Sequence, residues 1–333
     1  VNPWKITLGL ISSFFKIKFQ GIFAYPQKLQ YFPAICFYLI LIWLELLSGG
    51  KAAIPQNLSF LILLYTAINF ISAILFGTAS WFRYGEFFSV FFNLTAKISI
   101  IEVKDRKIYL RLPFVGLIRE AAESLSQLIF IIIMLSSTAY DGFRSTTVWF
   151  KTAQFFSAYY SKLGELGSTL FATIALIIVI AAFFLVYLIL VALMKVITKT
   201  RISLFELASG FAFSLLPIAV VYNVAHYYTL ILTQGQLLIS LISDPFGLGW
   251  NLFNTAKFTP NIAIVRADYT WYSQVFLIVS GHIAAVYLAH IVALKLFPKQ
   301  THAIISQLPM LILMVLYTLT GLWILSQPFN LKS

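Results

Sequence analysis

Residues 168–194, STLFATIALIIVIAAFFLVYLILVALM, decide the fold. The run contains no charged residue and exceeds the about 20 apolar residues that a helix needs to cross the hydrocarbon core of a bilayer. Six further apolar runs lie on either side of it, at 32–47, 58–78, 122–140, 206–232, 270–296 and 304–326. The first of these is short and carries Glu45. Its Pro33 falls in the first turn, where a missing N–H does no harm.

Composition leads to the same class. Hydrophobic residues make up 60% of the 333 and charged residues 10%, whereas soluble proteins carry roughly 25% charged residues. Mean hydropathy is +0.91. So few charges could not cover a surface in water, but lipid solvates an apolar exterior at no cost. The expectation is an all-α integral membrane protein: a bundle of about seven transmembrane helices, with interfacial amphipathic helices and a small cytoplasmic β-hairpin. Residues 1–333 form a single transmembrane domain.

The net charge of +12 does not indicate a nucleic-acid partner. Most of the Lys and Arg residues sit in the short connections on one side of the runs, as the positive-inside rule requires, and no basic stripe with interleaved aromatics is present. The partners expected are the lipid bilayer and other membrane subunits. Lys5, Lys16, Lys18, Lys28, the basic residues of 79–121, Lys195, Lys199, Arg201, Lys295 and Lys299 share one side. Lys51, Arg144, Lys151, Lys162, Lys257, Arg266 and Lys332 share the other. The rule places the chain in the cell membrane with Val1 in the cytoplasm and Ser333 outside. The lone Cys36 can form no intrachain disulfide.

Two connections are long enough to hold structure. In 79–121, the spacing of Arg83, Glu86, Asn93 and Lys97 predicts one polar stripe on an amphipathic helix, with Phe87, Phe88, Phe91, Phe92 and Leu94 as its apolar remainder. Ile100–Val103 and Ile108–Leu112 flank a charged turn at Lys104–Lys107, which predicts a hairpin. In 233–269, on the external side, Asp244-Pro245 with Gly247 and Gly249 is turn chemistry. Its neighbours are apolar enough for a re-entrant or interface-lying segment.

The motifs of soluble enzymes are absent: no G-x-S-x-G, no phosphate-binding loop, no H-E-x-x-H and no G-x-G-x-x-G. Ionisable groups within spans are costly and therefore mark candidate sites. His226 lies six residues, about 9 Å of helix, from the outer end of its run, and Asn223 precedes it on the same face. Asp141 closes the third run and Asp244 sits in the external segment. With His226 they make an oxygen-and-nitrogen set suited to a small ligand or a divalent metal ion. The alternative is purely structural, with Asp141 paired to Arg144 and the histidines bonded between helices. His282 lies about 9 Å deeper than His226, which argues against a haem held between the two. Glu45 and Glu206 lie near span ends and read as snorkelling or capping residues.

Several segments are similar to those of a family of bacterial polytopic membrane proteins. They include Asn2-Pro3-Trp4-Lys5, resembling a loop motif, and Tyr84-Gly85-Glu86-Phe87-Phe88. Tyr140-Asp141-Gly142-Phe143, Ala225-His226-Tyr227, Ser243-Asp244-Pro245-Phe246, Gly281-His282 and Ser306-Gln307-Leu308-Pro309 continue the likeness. Some members carry the label fenitrothion hydrolase, so the resemblance implies a hydrolytic activity. It also implies further membrane helices before the Asn-Pro-Trp segment, which would make this chain the C-terminal part of a longer protein. Three functions follow as expectations: handling or transport of a small ligand or metal ion at an outward polar site, an accessory role in a larger membrane complex, and membrane-embedded hydrolysis.

Overall fold

The computed structural model describes residues 2–104 and 107–327. Its helices are α1 (Pro3–Phe15), α2 (Phe32–Leu47), α3 (Pro55–Phe76), a single turn α4 (Thr78–Ser80) and α5 (Phe87–Ala96). After the strands β1 (Ile101–Lys104) and β2 (Lys107–Leu110) come α6 (Val115–Arg119), α7 (Leu125–Arg144), α8 (Thr147–Tyr160) and α9 (Gly164–Thr198). The remainder are α10 (Leu204–Ala212), α11 (Leu216–Gln234), α12 (Leu237–Ser243), α13 (Ala267–Leu296) and α14 (Gln300–Ser326).

Among the described residues, six helical stretches are long and apolar enough to cross a membrane: α3, α7, α8 with α9, α10 with α11, α13 and α14. The expected first span is α2. Its 16 residues rise only about 24 Å, less than the about 30 Å of a hydrocarbon core. It nevertheless runs beside α7 from end to end. The Tyr31 N–H donates to Ser126 Oγ at 3.2 Å, Tyr38 and Ser137 share a hydroxyl contact at 3.4 Å, and Arg144 donates to the Leu46 carbonyl. The protein is therefore an all-α, multi-pass bundle.

At the centre stands α7. Its residues 130–140 are all buried, packed by α2, α9, α10, α11 and α14. Polar side chains start the helices where the sequence supplies them: Ser124, Thr146 and Ser203 each accept a backbone N–H of the first turn, meeting donors that have no partner within the helix. Pro217 enters α11 in its first turn, after a 3₁₀ turn at Phe213–Leu215. Outward-facing positions remain apolar: Ile177, Ile178, Leu185 and Ile189 of α9 are all more than half exposed, as lipid contact demands.

The hairpin forms as expected. β1 and β2 pair antiparallel, with Glu102 opposite Tyr109 and Val103 opposite Ile108; residues 105–106 of the charged turn lie outside the described residues. Glu102 also pairs with Arg111 at 3.5 Å and Arg119 at 3.3 Å, tying the hairpin to α6. The side of the bundle that carries this hairpin is called the hairpin face below. Ser333 likewise lies outside the described residues.

Residues 77–97 depart from the sequence expectation. The helix begins at Phe87, and Trp81–Gly85 form a π-turn ahead of it, so Arg83 belongs to the turn and not to a helical stripe. Gly77, at φ +80°, allows the chain to reverse after α3. A Cβ there would stand 2.5 Å from the Gln20 carbonyl oxygen. The chain then dips back beside α3. Trp81 Nε1 donates to Asn69 Oδ1 at 2.8 Å, and Glu86 accepts the phenol of Tyr65. Tyr65 stands 11 residues, about 16 Å of helix, before the end of α3. Glu86 is buried, not on a polar face, because it caps α5 and accepts from Phe88 N at 3.0 Å and Ser89 N at 2.7 Å. Asn2 and Trp4 lie in the same place. Asn2 caps α1 and donates to Glu86 at 2.5 Å, and Trp4 stacks on Phe88 at 5.4 Å. The Asn-Pro-Trp motif is thus the start of a helix and not a loop.

Candidate functional site

From the middle of the bundle toward the end opposite the hairpin, α2, α5, α7 and α11 leave a cleft of about 180 Å³. One wall is the aromatic row Phe87, Phe88, Phe91 and Phe92 of α5. Tyr38 and Glu45 enter from α2, Ser137 and Thr138 from α7, and Asn223 and Tyr227 from α11. The placement follows from helical spacing. Asn223 and Tyr227 are one turn apart, as are Ser137 and Asp141, so each pair points along one face.

His226 and Asp141 meet beside this cleft. The His226 Nε2–H donates to Asp141 Oδ2 at 2.7 Å, and both side chains are partly buried. An ionised carboxylate only accepts, which assigns the proton to Nε2. The adjacent Tyr227 donates its phenol to Glu45 Oε1 at 3.2 Å, so two hydrogen-bonded pairs stand side by side on three helices. The His226 ring meets the Tyr227 ring edge-on at 4.8 Å. Asn223 donates to the carbonyls of Ala219 at 2.8 Å and Met134 at 3.3 Å, which locks its amide with Oδ1 left over.

The structure brings together three of the five candidate residues: His226, Asp141 and Asn223. Asp244 lies elsewhere, where it accepts Leu248 N at 2.9 Å and Gly249 N at 2.8 Å and closes its own loop. His282 is buried in α13, with Nδ1–H donating to the Ile278 carbonyl at 2.8 Å and Nε2 unpartnered. It does not line the cleft. The structural alternative for Asp141 is also corrected. Arg144 reaches across to α2, to the Leu46 carbonyl, so the partner of Asp141 is His226. Arg144 lies a single turn from Asp141 on the same helix, whereas α11 delivers His226 directly.

Sequence did not assign Glu45 or Tyr227 to the site. Glu45 reads as a snorkelling residue because it lies two positions from its helix end, and nothing local reveals that α11 stands opposite. The apparent depth of His226 also changes. It is eight residues from the end of α11, but its partner Asp141 is only three from the end of α7. The longer helix overstates how far the pair is sunk among its neighbours. Among the described residues, no set of three His, Cys, Asp or Glu side chains could hold a metal ion.

A larger cavity, about 510 Å³, opens at the hairpin face between Tyr25, Tyr31, Tyr84 and Glu123. Glu123, Tyr25 and Tyr31 of this cavity are already engaged. Glu123 pairs with Arg83 at 2.9 Å and accepts Tyr31 at 3.2 Å. Tyr25 donates to the Gln30 carbonyl at 2.7 Å, and burial, together with Tyr84 nearby, pushes its phenol up to about 12. No family model, curated protein or solved structure matches this chain.

Proposed function

We propose that this membrane protein handles a small ligand in the cleft between α2, α5, α7 and α11, and that the His226–Asp141 pair links occupancy of the cleft to a proton. The observation that carries the reading is the 2.7 Å contact of His226 with Asp141 immediately beside the Tyr227–Glu45 pair at the cleft. Ionisable groups are rare within spans and face cavities when they occur. An imidazole that donates from Nε2 to a carboxylate can bind a second proton at Nδ1 without breaking that contact. The basic hairpin face would lie in the cytoplasm, so the cleft would open toward the outside.

A hydrolytic role, which the family resemblance implies, would need a nucleophile in contact with a base if it ran through a covalent intermediate. Among the described residues, no Ser or Thr hydroxyl is hydrogen-bonded to a histidine: Ser137 meets Tyr38, and Thr138 meets the Met134 carbonyl.

The test combines two readouts on the full chain in nanodiscs. Cys36 is first replaced by Ser, and Thr138→Cys then reports on the cleft. Its labelling by a water-soluble methanethiosulfonate, normalised to Ser161→Cys at an exposed position, is followed from pH 5 to pH 8. The imidazole resonances of the four histidines are titrated in parallel. The expected result is a change in labelling that follows the His226 titration and disappears in His226→Ala. Labelling that ignores pH, or a His226 resonance that does not titrate, would overturn the reading.

A further inference from the structure

The hydrogen-bond accounts of the cleft are unbalanced in one direction, and this identifies the chemistry of its occupant. Both N–H groups of Asn223 are engaged by backbone carbonyls, which leaves Oδ1 with free lone pairs. The Thr138 hydroxyl donates to the Met134 carbonyl at 3.4 Å, so its oxygen can only accept. The Tyr227 hydrogen is engaged by Glu45, whose second carboxylate oxygen has no partner among the described residues. Tyr38 and Ser137 share one contact and retain a single hydroxyl hydrogen between them. No Lys or Arg lines the space. The cleft therefore presents at least three free acceptors, one of them a carboxylate, against one free donor.

The other wall favours the same ligand. Phe87, Phe88, Phe91 and Phe92 line this side and would cover a short hydrocarbon body. An anion would meet Glu45 and four aromatic rings without a single cationic partner. A neutral acceptor would bring no hydrogen for Asn223, Thr138 and Glu45 to accept.

We infer that the cleft binds a small primary alkylammonium ion, with its N–H groups donating to Glu45 and Asn223 and its alkyl part against the α5 aromatic row. This rests on the proposed function of the same cleft. In this arrangement, Glu45 sets the charge preference, and Asp141 stays occupied with His226.

Modification rates separate this inference from the reading on which it rests. In the Cys36→Ser background, Thr138→Cys is treated with aminoethyl methanethiosulfonate, a primary ammonium, and with the sulfonatoethyl reagent, an anion. Ser161→Cys supplies the intrinsic ratio of the two rates, and Ser137→Cys serves as a second reporter should Thr138→Cys fold poorly. A cleft lined by one sign of charge concentrates counter-ions by about tenfold or more. The ammonium-to-sulfonate ratio at position 138 is therefore expected to exceed that at position 161 by about tenfold, and Glu45→Gln should return it to the control value. Butylammonium should protect position 138, and 1-butanol should not. If both reagents react with equal preference, or if 1-butanol protects as well as butylammonium, the cleft stands and the ammonium assignment fails. If neither reagent reaches position 138 or 137, the cleft is closed and both readings fail.

Discussion

Glu86 is a carboxylate with no exposed surface, and its surroundings explain why it can be there. One oxygen accepts the Tyr65 phenol and the Phe88 amide, and the other accepts the Asn2 side chain and the Ser89 amide. Four donors compensate the lost hydration, and the start of α5 adds the favourable end of a helix dipole. Removing the acceptor orphans all four donors at once. Glu86→Ala is expected to cost about 3 kcal/mol or more, and Tyr65→Phe, which deletes one bond to a charged group, about 1.5–3 kcal/mol. Unfolding in detergent measures both, and a Glu86→Ala protein as stable as the parent would refute this account. The residue scale is also where sequence says least. Helical arithmetic assigns Glu86 to a polar stripe, because spacing cannot show that the helix starts one residue later. His226 and Asp141 are readable as costly groups near one end of the bundle. Glu45 and Tyr227 become a pair only once α2 and α11 face each other.

Elements were legible to the extent that apolarity defines them. The long runs became helices because in lipid a helix is the way a single segment satisfies all its own backbone polar groups. The reversal after α3 was not legible, since a π-turn and a one-residue break at Glu86 leave no periodic trace. How the helices approach each other depends on a few small residues. Gly281 of α13 lies against α11, where an added Cβ would collide with Val221 and stand 3.1 Å from the Pro217 carbonyl oxygen. Gly321 of α14 faces the Tyr222 ring, 2.5 Å from where a Cβ would lie. Such packing lets helix backbones approach closely in lipid. Gly281→Ala is therefore expected to destabilise by about 1–3 kcal/mol through overpacking. Gly9→Ala, in α1 with nothing within 4 Å of the added carbon, should be neutral or stabilising by about 0.5–1 kcal/mol. Thermal unfolding of the two variants side by side tests the distinction, and an unchanged midpoint for Gly281→Ala would mean that α11 and α13 are farther apart than described.

At the scale of the molecule, charge asymmetry and fold can be compared directly. Folding gathers the N-terminal end of α7 with the C-terminal ends of α3 and α13. Lys295 donates to the Ile118 carbonyl at 2.7 Å, and Ala122 N to the Ser209 carbonyl at 3.1 Å. Lys28, Arg83, Arg111, Arg119, Lys195, Lys199, Arg201, Lys295 and Lys299 thus belong to the hairpin face. The opposite end gathers Lys51 with Glu165 and Arg144 with Leu46, and it adds Lys151, Lys162, Lys257 and Arg266. Among the described residues, one leaves the count: Lys5 follows Trp4, whose indole donates to Thr66 in the middle of α3 at 2.8 Å, so it lies between the faces. The bias survives that loss. Because basic residues near span ends set orientation, the hairpin is expected inside the cell and the loop around Phe246 outside. Val103 and Phe246, 69% and 73% exposed, are suitable reporters. In intact cells carrying Cys36→Ser, an impermeant maleimide should label Phe246→Cys at once and Val103→Cys only after permeabilisation. The reverse pattern would place the acidic mouth of the cleft in the cytoplasm, and the ammonium ion would then be drawn from the cell and not from its surroundings.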